Sequence, residues 1–246
     1  SSAASDVYKR QNKGVVTSNE GERFLGYARQ VLEQASLLEG VYKSGTKIKQ
    51  QFCVSTQHYS FAVNAFVDLI RRFAGEEYDF SLRETETYEI IDDVAKMKSE
   101  IGILYLNSFN KDALMKIIKS KSLTFTELFT AKPHVFVSTD HPLADKKSVT
   151  MEELADYPYL SFEQGEHNSF YYSEEIFSTV GRTKNIRVTD RATLFNLLIG
   201  LNGYTVCSGV IDNELNGDNI TAIPLDEEGN MKIGYICLLY TSPSPR

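Results

Sequence analysis

Three short polar stretches hold the residues best suited to grip a small molecule. They are Ser55-Thr56-Gln57-His58-Tyr59, Phe162-Glu163-Gln164-Gly165-Glu166-His167-Asn168, and Thr189-Asp190-Arg191-Ala192-Thr193. Each follows a β-rich run and precedes a segment with helical periodicity, so each sits where a strand hands over to a helix N-terminus. Free backbone N–H groups there favour negative charge, and open α/β sheets bind ligands outside the carboxyl ends of their strands. The competing reading of any single Ser, Thr or Asn in such a turn is a helix cap. The hydroxyls, amides and Arg191 suit a carboxylate. Glu163, Glu166 and Asp190 pull toward an amine, so an amino acid or similar zwitterion also fits.

Catalytic chemistry finds less support. Cys53 and Cys207 lie inside apolar strands, where a thiol behaves as a small core residue rather than a nucleophile. Glu163, Glu166 and His167 share one loop but lack a second ligand pair at helical spacing, so neither a metal nor a cofactor is expected. No GxSxG, P-loop or GxGxxG run occurs, and an enzyme is not expected.

Positioning such turns requires a sizeable core. The 246 residues include 14 Tyr and 14 Phe, with 42% hydrophobic and 24% charged residues, which is ordinary globular composition and excludes disorder. A net charge of −7 has the wrong sign for a surface that neutralises nucleic-acid phosphates. The longest apolar runs, such as Leu194 to Leu201, fall short of the roughly 20 residues that span a bilayer. No secretory apolar stretch opens the sequence, and the three Cys are widely spaced, so a cytoplasmic setting without membrane contact is expected. Residues 1–11 (SSAASDVYKRQ) and 237–246 (CLLYTSPSPR) are expected to be foreign read-through flanking the native stretch.

Thr17 followed by Glu20 has capping-box spacing and predicts a helix start. Phe24, Ala28, Val31, Ala35, Leu38 and Tyr42 then alternate in steps of four and three along one stripe, ending near Gly40 to Gly45. So narrow a stripe suits a seam between two helices, with packing on its own domain as the alternative. After Lys47, strands alternate with helices. Strands are predicted at Phe52–Val54, Asp79–Arg83, Ile101–Leu106, Tyr159–Phe162, Ile186–Val188, Tyr204–Cys207, Ile220–Pro224 and Met231–Ile236. Helices are predicted at Ser60–Phe73, Tyr88–Lys98, Ser169–Val180 and Thr193–Leu201, and Leu123–Thr139 reads as mostly extended. The first of these helices carries Phe61, Ala65, Phe66, Leu69, Ile70 and Phe73 on one side. Alternation of this kind implies βαβ units on parallel sheets, here in two series that describe an α/β protein of two lobes with a cleft between them.

Four stretches together resemble the LysR-type transcriptional regulators. Asn12 to Leu25 (NKGVVTSNEGERFL) is similar to the end of that family's wing and the start of its linker helix. His141-Pro142-Leu143-Ala144 matches its HPLA turn. Ile101-Gly102-Ile103 is similar to its DIGI strand, with Glu100 for the usual Asp, and Leu201-Asn202-Gly203-Tyr204 stands where it has a GxG turn. The resemblance implies a linker and dimerisation helix over 17–46, behind a wing remnant at 12–21 that leaves Lys13 as the DNA-binding residue. It implies a type 2 periplasmic-binding-protein-like effector domain, with lobe I from 51–129 plus 231–236 and lobe II from 130–224. It further implies effector contacts at Ser55, Thr56, Gln57, Tyr105, Gln164, Thr189 and Ser208. The implied partners are a small-molecule effector, a second or further copies in a homodimer or homotetramer, and DNA through an N-terminal domain preceding the wing. A solute-binding protein of a transporter shares the two-lobed fold but gives no reason for a seam helix in front.

Overall fold

A computed structural model of the chain describes residues 8–11, 14–42, 50–211 and 217–239. Strands β1 (Tyr8–Gln11) and β2 (Gly14–Thr17) pair antiparallel, Tyr8 opposite Thr17, and lead into helix α1 (Asn19–Tyr42). Tyr8–Gln11, expected to be foreign, thus supplies half of this hairpin. Thr17 is the last strand residue, and Ser18 is the cap, its Oγ accepting from the Gly21 N–H at 3.0 Å. The helix starts one residue later than the spacing predicts because Thr17 remains committed to the hairpin. Lys13 lies outside the described residues, as do the side chains of Leu38 and Tyr42.

The chain continues through β3 (Gln50–Thr56), α2 (Ser60–Phe73), β4 (Tyr78–Glu84), α3 (Thr87–Ala95), β5 (Ile101–Leu106), α4 (Lys111–Ser120) and β6 (Leu123–Ala131). It then enters β7 (His134–Ser138), α5 (Met151–Leu154), β8 (Tyr159–Phe162), β9 (Asn185–Val188), α6 (Arg191–Leu201), β10 (Thr205–Cys207) and β11 (Ile220–Pro224), and returns as β12 (Met231–Leu238). The first lobe is a five-stranded sheet in the order β4-β3-β5-β12-β6. The second combines β10-β7-β11 with the pair β8-β9, joined by a parallel bridge between Tyr159 and Tyr204.

The sheets are mixed, not parallel. β4, β3 and β5, linked by helices, run parallel, whereas β12 is antiparallel to both its neighbours and β7 to both of its own. β7 and β12 arrive from the other lobe along short extended links instead of helical crossovers, so the parallel rule for βαβ units does not bind them. The chain crosses between lobes at Lys132-Pro133 and again over 225–230, and these two crossings lie together: Met231 is paired with Ala131, and the Leu225 N–H donates to the Pro133 carbonyl at 3.0 Å.

One hydrophobic core runs through this junction from Val54, Ile103 and Ile233 to Val135, Tyr159 and Ile223. Two others close the far faces: Ile90, Val94, Leu104, Leu114, Ile118 and Ile236 in the first lobe, and Phe136, Leu160, Val188, Leu194, Leu198 and Ile220 in the second. The strand predicted over Met231–Ile236 runs two residues further. β12 extends through Cys237, which is 4% exposed, to Leu238, because the nine residues of β6 provide partners as far as Leu123. On α2 the predicted apolar side is only partly covered, with Ala65 and Phe73 exposed. Helix α4 was not foreseen, although Leu114 and Ile118 have helical spacing. The helix expected at Ser169–Val180 is instead one 3₁₀ turn (Phe170–Tyr172) followed by bends, with Phe177 in the left-handed region at φ 62°. Among the described residues no helix is long and apolar enough to cross a membrane.

Candidate functional site

The end of β3 reaches the cleft with its polar side chains already engaged. Thr56, fully buried, donates from Oγ1 to the Gln57 carbonyl at 2.8 Å. Gln57, also fully buried, donates from Nε2 to Thr87 Oγ1 at 2.6 Å, while its Oε1 accepts from the Tyr59 hydroxyl at 2.7 Å and the Tyr105 N–H at 3.1 Å. Thr87, at the start of α3, passes the network to the second lobe: its N–H donates to Gln164 Oε1 at 3.0 Å and its hydroxyl to the Tyr172 carbonyl at 2.7 Å. A buried amide leaves no polar atom idle without penalty, and here both ends of Gln57 and Gln164 are used.

The second lobe answers with a carboxylate. Glu174, 5% exposed, accepts from the His58 N–H at 2.8 Å, from His58 Nδ1 at 3.0 Å and from Gln164 Nε2 at 3.2 Å. Burial alone would lower the His58 pKa, but the hydrogen bond and charge of Glu174, with Glu84 and Glu175 beyond, raise it above the ordinary imidazole value. The ring also stacks on Phe162 of the second lobe, centroids 3.9 Å apart. Glu175, 2% exposed, accepts from the Phe162 N–H at 2.8 Å, and burial first, then the Glu174 charge, pushes its carboxyl up to about 8.

Glu174–Phe177 divides the cleft in two. On one side a cavity of about 40 Å³ is lined by His58, Ser60, Phe162, Glu174, Arg191 and Ser208 among others. On the other a cavity of about 130 Å³ is lined by Tyr105, Asn107, Phe109, Ile176, Phe177 and Asn230 among others. Glu175 faces both.

Of the seven expected effector contacts, five meet here. Gln57 and Gln164 lie within the inter-lobe network, Thr56 beneath it, and Tyr105 and Ser208 line the two cavities. Ser55 does not: its hydroxyl donates to Asp93 Oδ2 at 2.8 Å and contacts Ser99 Oγ at 2.8 Å under α3, because alternation along β3 turns it to the far face. Thr189 is exposed beyond β9 and lines neither cavity. Its neighbour Asp190 caps α6, accepting from the Thr193 N–H at 2.8 Å. The residues that reading missed are Glu174, Glu175 and Thr87. A signal did exist. In a helix over 169–180, Glu174 would share a stripe with Phe170 and Phe177, and a carboxylate there argues against a helix.

No catalytic set is assembled among the described residues. Desolvation pushes the Cys207 thiol up to about 12, leaving it protonated and a poor nucleophile. Among the described residues no group of three or more His, Cys, Asp or Glu could hold a metal ion.

Residues 54–246 match the LysR substrate binding domain. The chain belongs to that family. A LysR substrate-binding domain is the effector-binding part of a transcription regulator, not an enzyme. Two relatives agree. The uncharacterized HTH-type transcriptional regulator YnfL of Escherichia coli is 26% identical over 158 residues, covering 63% of this chain and 50% of that protein. A probable nitrogen assimilation transcriptional activator of Synechocystis is 27% identical over 152 residues, covering 59% and 45%. The chain spans about half the length of these curated relatives.

Solved structures support the fold at lower identity. A full-length OxyR variant from Pseudomonas aeruginosa superimposes with a TM-score of 0.62 at 15% identity, covering 95% of this chain and 74% of that one. The reduced form of an OxyR regulatory domain from the same organism gives 0.56 at 14% identity, covering 79% and 89%. The two-lobed, type 2 periplasmic-binding-protein-like architecture of the LysR domain is therefore the fold of this chain.

Family-typical stretches in this LysR domain hold the second lobe together. His141 of HPLA donates from Nε2 to the Asn202 carbonyl at 3.1 Å and accepts the Leu143 N–H on Nδ1. Asn202 ends α6 in the left-handed conformation, φ 49°, and Gly203 follows where an added Cβ would lie 2.4 Å from Leu160 Cδ1. In the first lobe, Glu100 of the DIGI-like strand accepts the Cys53 N–H at 2.6 Å.

Proposed function

We propose that this chain is the linker helix and sensing part of a DNA-binding LysR-type regulator whose signal is a small carboxylate or amino acid bound between the lobes. The observation that carries the reading is the convergence of the His58 N–H, the His58 ring and the Gln164 amide on one carboxylate in the cleft. Charge-assisted donors of this kind are the strong ones, and a ligand carboxylate would use them as Glu174 does. Glu175, buried beside them, supplies an acceptor for an α-amino group.

Effector binding shifts the balance between lobe arrangements, and the protomers of a homodimer or homotetramer carry that shift to DNA through an N-terminal domain, in the cytoplasm. The exposed stripe of α1, with Phe24 59% and Val31 68% exposed and Ala35 also in water, supplies the seam between copies. Ala28 is half-buried, and the adjoining face meets α3, where Arg29 Nη1 donates to the Lys96 carbonyl at 3.2 Å. The helix thus has one side for its own lobe and one for a partner.

The test is a thermal-shift screen of small carboxylates and amino acids. A stabilising compound is expected whose effect is lost in Gln164→Leu and weakened in Ser208→Ala. A ligand that stabilises both variants as well as the parent places the effector outside this cleft.

A further inference from the structure

Three features of the 163–181 segment belong together. Glu174 is withdrawn from water and held by donors from both lobes, His58 from the first and Gln164 from the second. The segment bearing it is irregular, and Phe177 occupies a left-handed backbone conformation that a side chain disfavours, a form of strain that collects at switch regions. Glu175 is buried next to Glu174, so two carboxylates share a desolvated space with one imidazole between them and the first lobe. Burying two charged carboxylates side by side is costly, so one of the pair keeps its proton while the His58 and Gln164 donors hold the other.

We propose that Glu174 is a tethered stand-in for the effector's carboxylate: it occupies the acceptor position on His58 and Gln164, and a free carboxylate enters by displacing it. This rests on the cleft being the effector site and adds how that site is regulated. Displacement releases Glu174 and Glu175 toward water and frees Phe177 to leave its disfavoured conformation. It also merges the two cavities, since Glu174–Phe177 is the wall between them. The domain is thus closed on its own side chain before any signal arrives, and a ligand competes with a group already in place instead of filling an empty pocket. The apparent affinity of the parent chain is lowered accordingly.

Removing the tethered carboxylate tests this. Glu174→Ala leaves the donors and vacates the acceptor position. Acetate or formate is expected to raise the melting temperature of Glu174→Ala by several degrees over a chloride control at equal ionic strength, and to leave the parent chain unmoved. Any compound found in the screen is expected to bind Glu174→Ala about tenfold more tightly than the parent, as loss of an internal competitor requires. Equal acetate responses in the two chains, or equal binding to both of a screened ligand whose effect Gln164→Leu abolishes, overturn the proposal. Should Glu174→Ala not fold, Glu174→Gln keeps the shape and removes the charge. Its His58 amide is then expected to exchange with solvent about tenfold faster than in the parent and to be slowed again by acetate; unchanged exchange overturns the proposal. Failure of the cleft reading looks different. Acetate would still rescue Glu174→Ala, but a screened ligand would act without regard to Gln164 and Ser208.

Discussion

Arg191, in the first turn of α6, meets Glu84, the last residue of β4, at 3.1 Å across the cleft. The pair joins the lobes at a point that no hydrogen bond of the Gln57 and Gln164 network reaches. Both side chains keep some contact with water, 20% and 24% exposed, so the pair is worth about 0.5–1 kcal/mol, in the range of partly exposed bridges and not of buried ones. A double-mutant cycle with Arg191→Gln and Glu84→Gln, read by urea denaturation, is expected to give a coupling of that size. A coupling indistinguishable from zero would show that the latch contributes nothing in solution.

Glu175 makes stability depend on pH. Its carboxyl is pushed up to about 8 in the folded chain, by burial and then by Glu174. A group whose proton is held more tightly in the folded state supports folding fully below its ordinary value and loses that support as pH rises through the folded value. His58, raised as well, acts in the same direction above the ordinary imidazole range. Glu175 interacts electrostatically with Glu174, His58, Tyr59, Tyr105, Tyr159 and Cys207. Stability is therefore expected to fall between about pH 5 and about pH 8, with Glu175 contributing up to about 1.4 kcal/mol per pH unit. Glu175→Gln, which can still accept the Phe162 N–H, should flatten that slope. Parallel pH profiles for variant and parent would count against a buried, protonated Glu175.

Gly234 stands where β12 shifts register against β6. A Cβ built there lies 2.3 Å from the Thr126 carbonyl oxygen and 2.4 Å from Phe125 Cζ. The first of these is backbone and cannot swing aside. Gly234→Ala is expected to cost roughly 2–3 kcal/mol by forcing the two strands apart. A loss below about 0.5 kcal/mol would mean that the bulge relaxes freely.

Periodicity made most of the scaffold legible. Ser60–Phe73, Ile101–Leu106, Tyr159–Phe162 and Ile220–Pro224 begin and end where the residues predict. What escaped is set by long-range contacts. β12 is antiparallel because of where the chain comes back from, which no local pattern records. Ser55 and Thr56 are adjacent polar residues at one strand end, and only the pleat decides that Ser55 turns to Asp93. Glu174 and Glu175 escape notice because burying a carboxylate is ordinarily prohibitive. Their donors, His58 more than a hundred residues away and the Phe162 N–H, come together only in the folded lobes.

The α1 stripe yields a prediction about assembly. Phe24 and Val31 face water in the single chain, and an exposed apolar stripe of this kind suits a seam between two helices. Phe24→Lys with Val31→Lys is expected to shift the mass in light scattering toward smaller species while leaving the melting temperature of the effector domain nearly unchanged. A mass that does not move assigns the stripe to contacts within one chain.

The position of β12 dictates an order of assembly during translation. This strand leaves the ribosome after every other described element, yet it belongs between β5 and β6 in the interior of the first sheet. Until it emerges, β5 presents an open edge and the core of Leu104 and Leu114 lacks Ile236. The second lobe, built wholly from residues made in between, can close first. Nascent chains therefore carry an unfinished sheet edge from the emergence of β5 until that of β12, the kind of surface on which chaperones act and neighbouring nascent chains mispair.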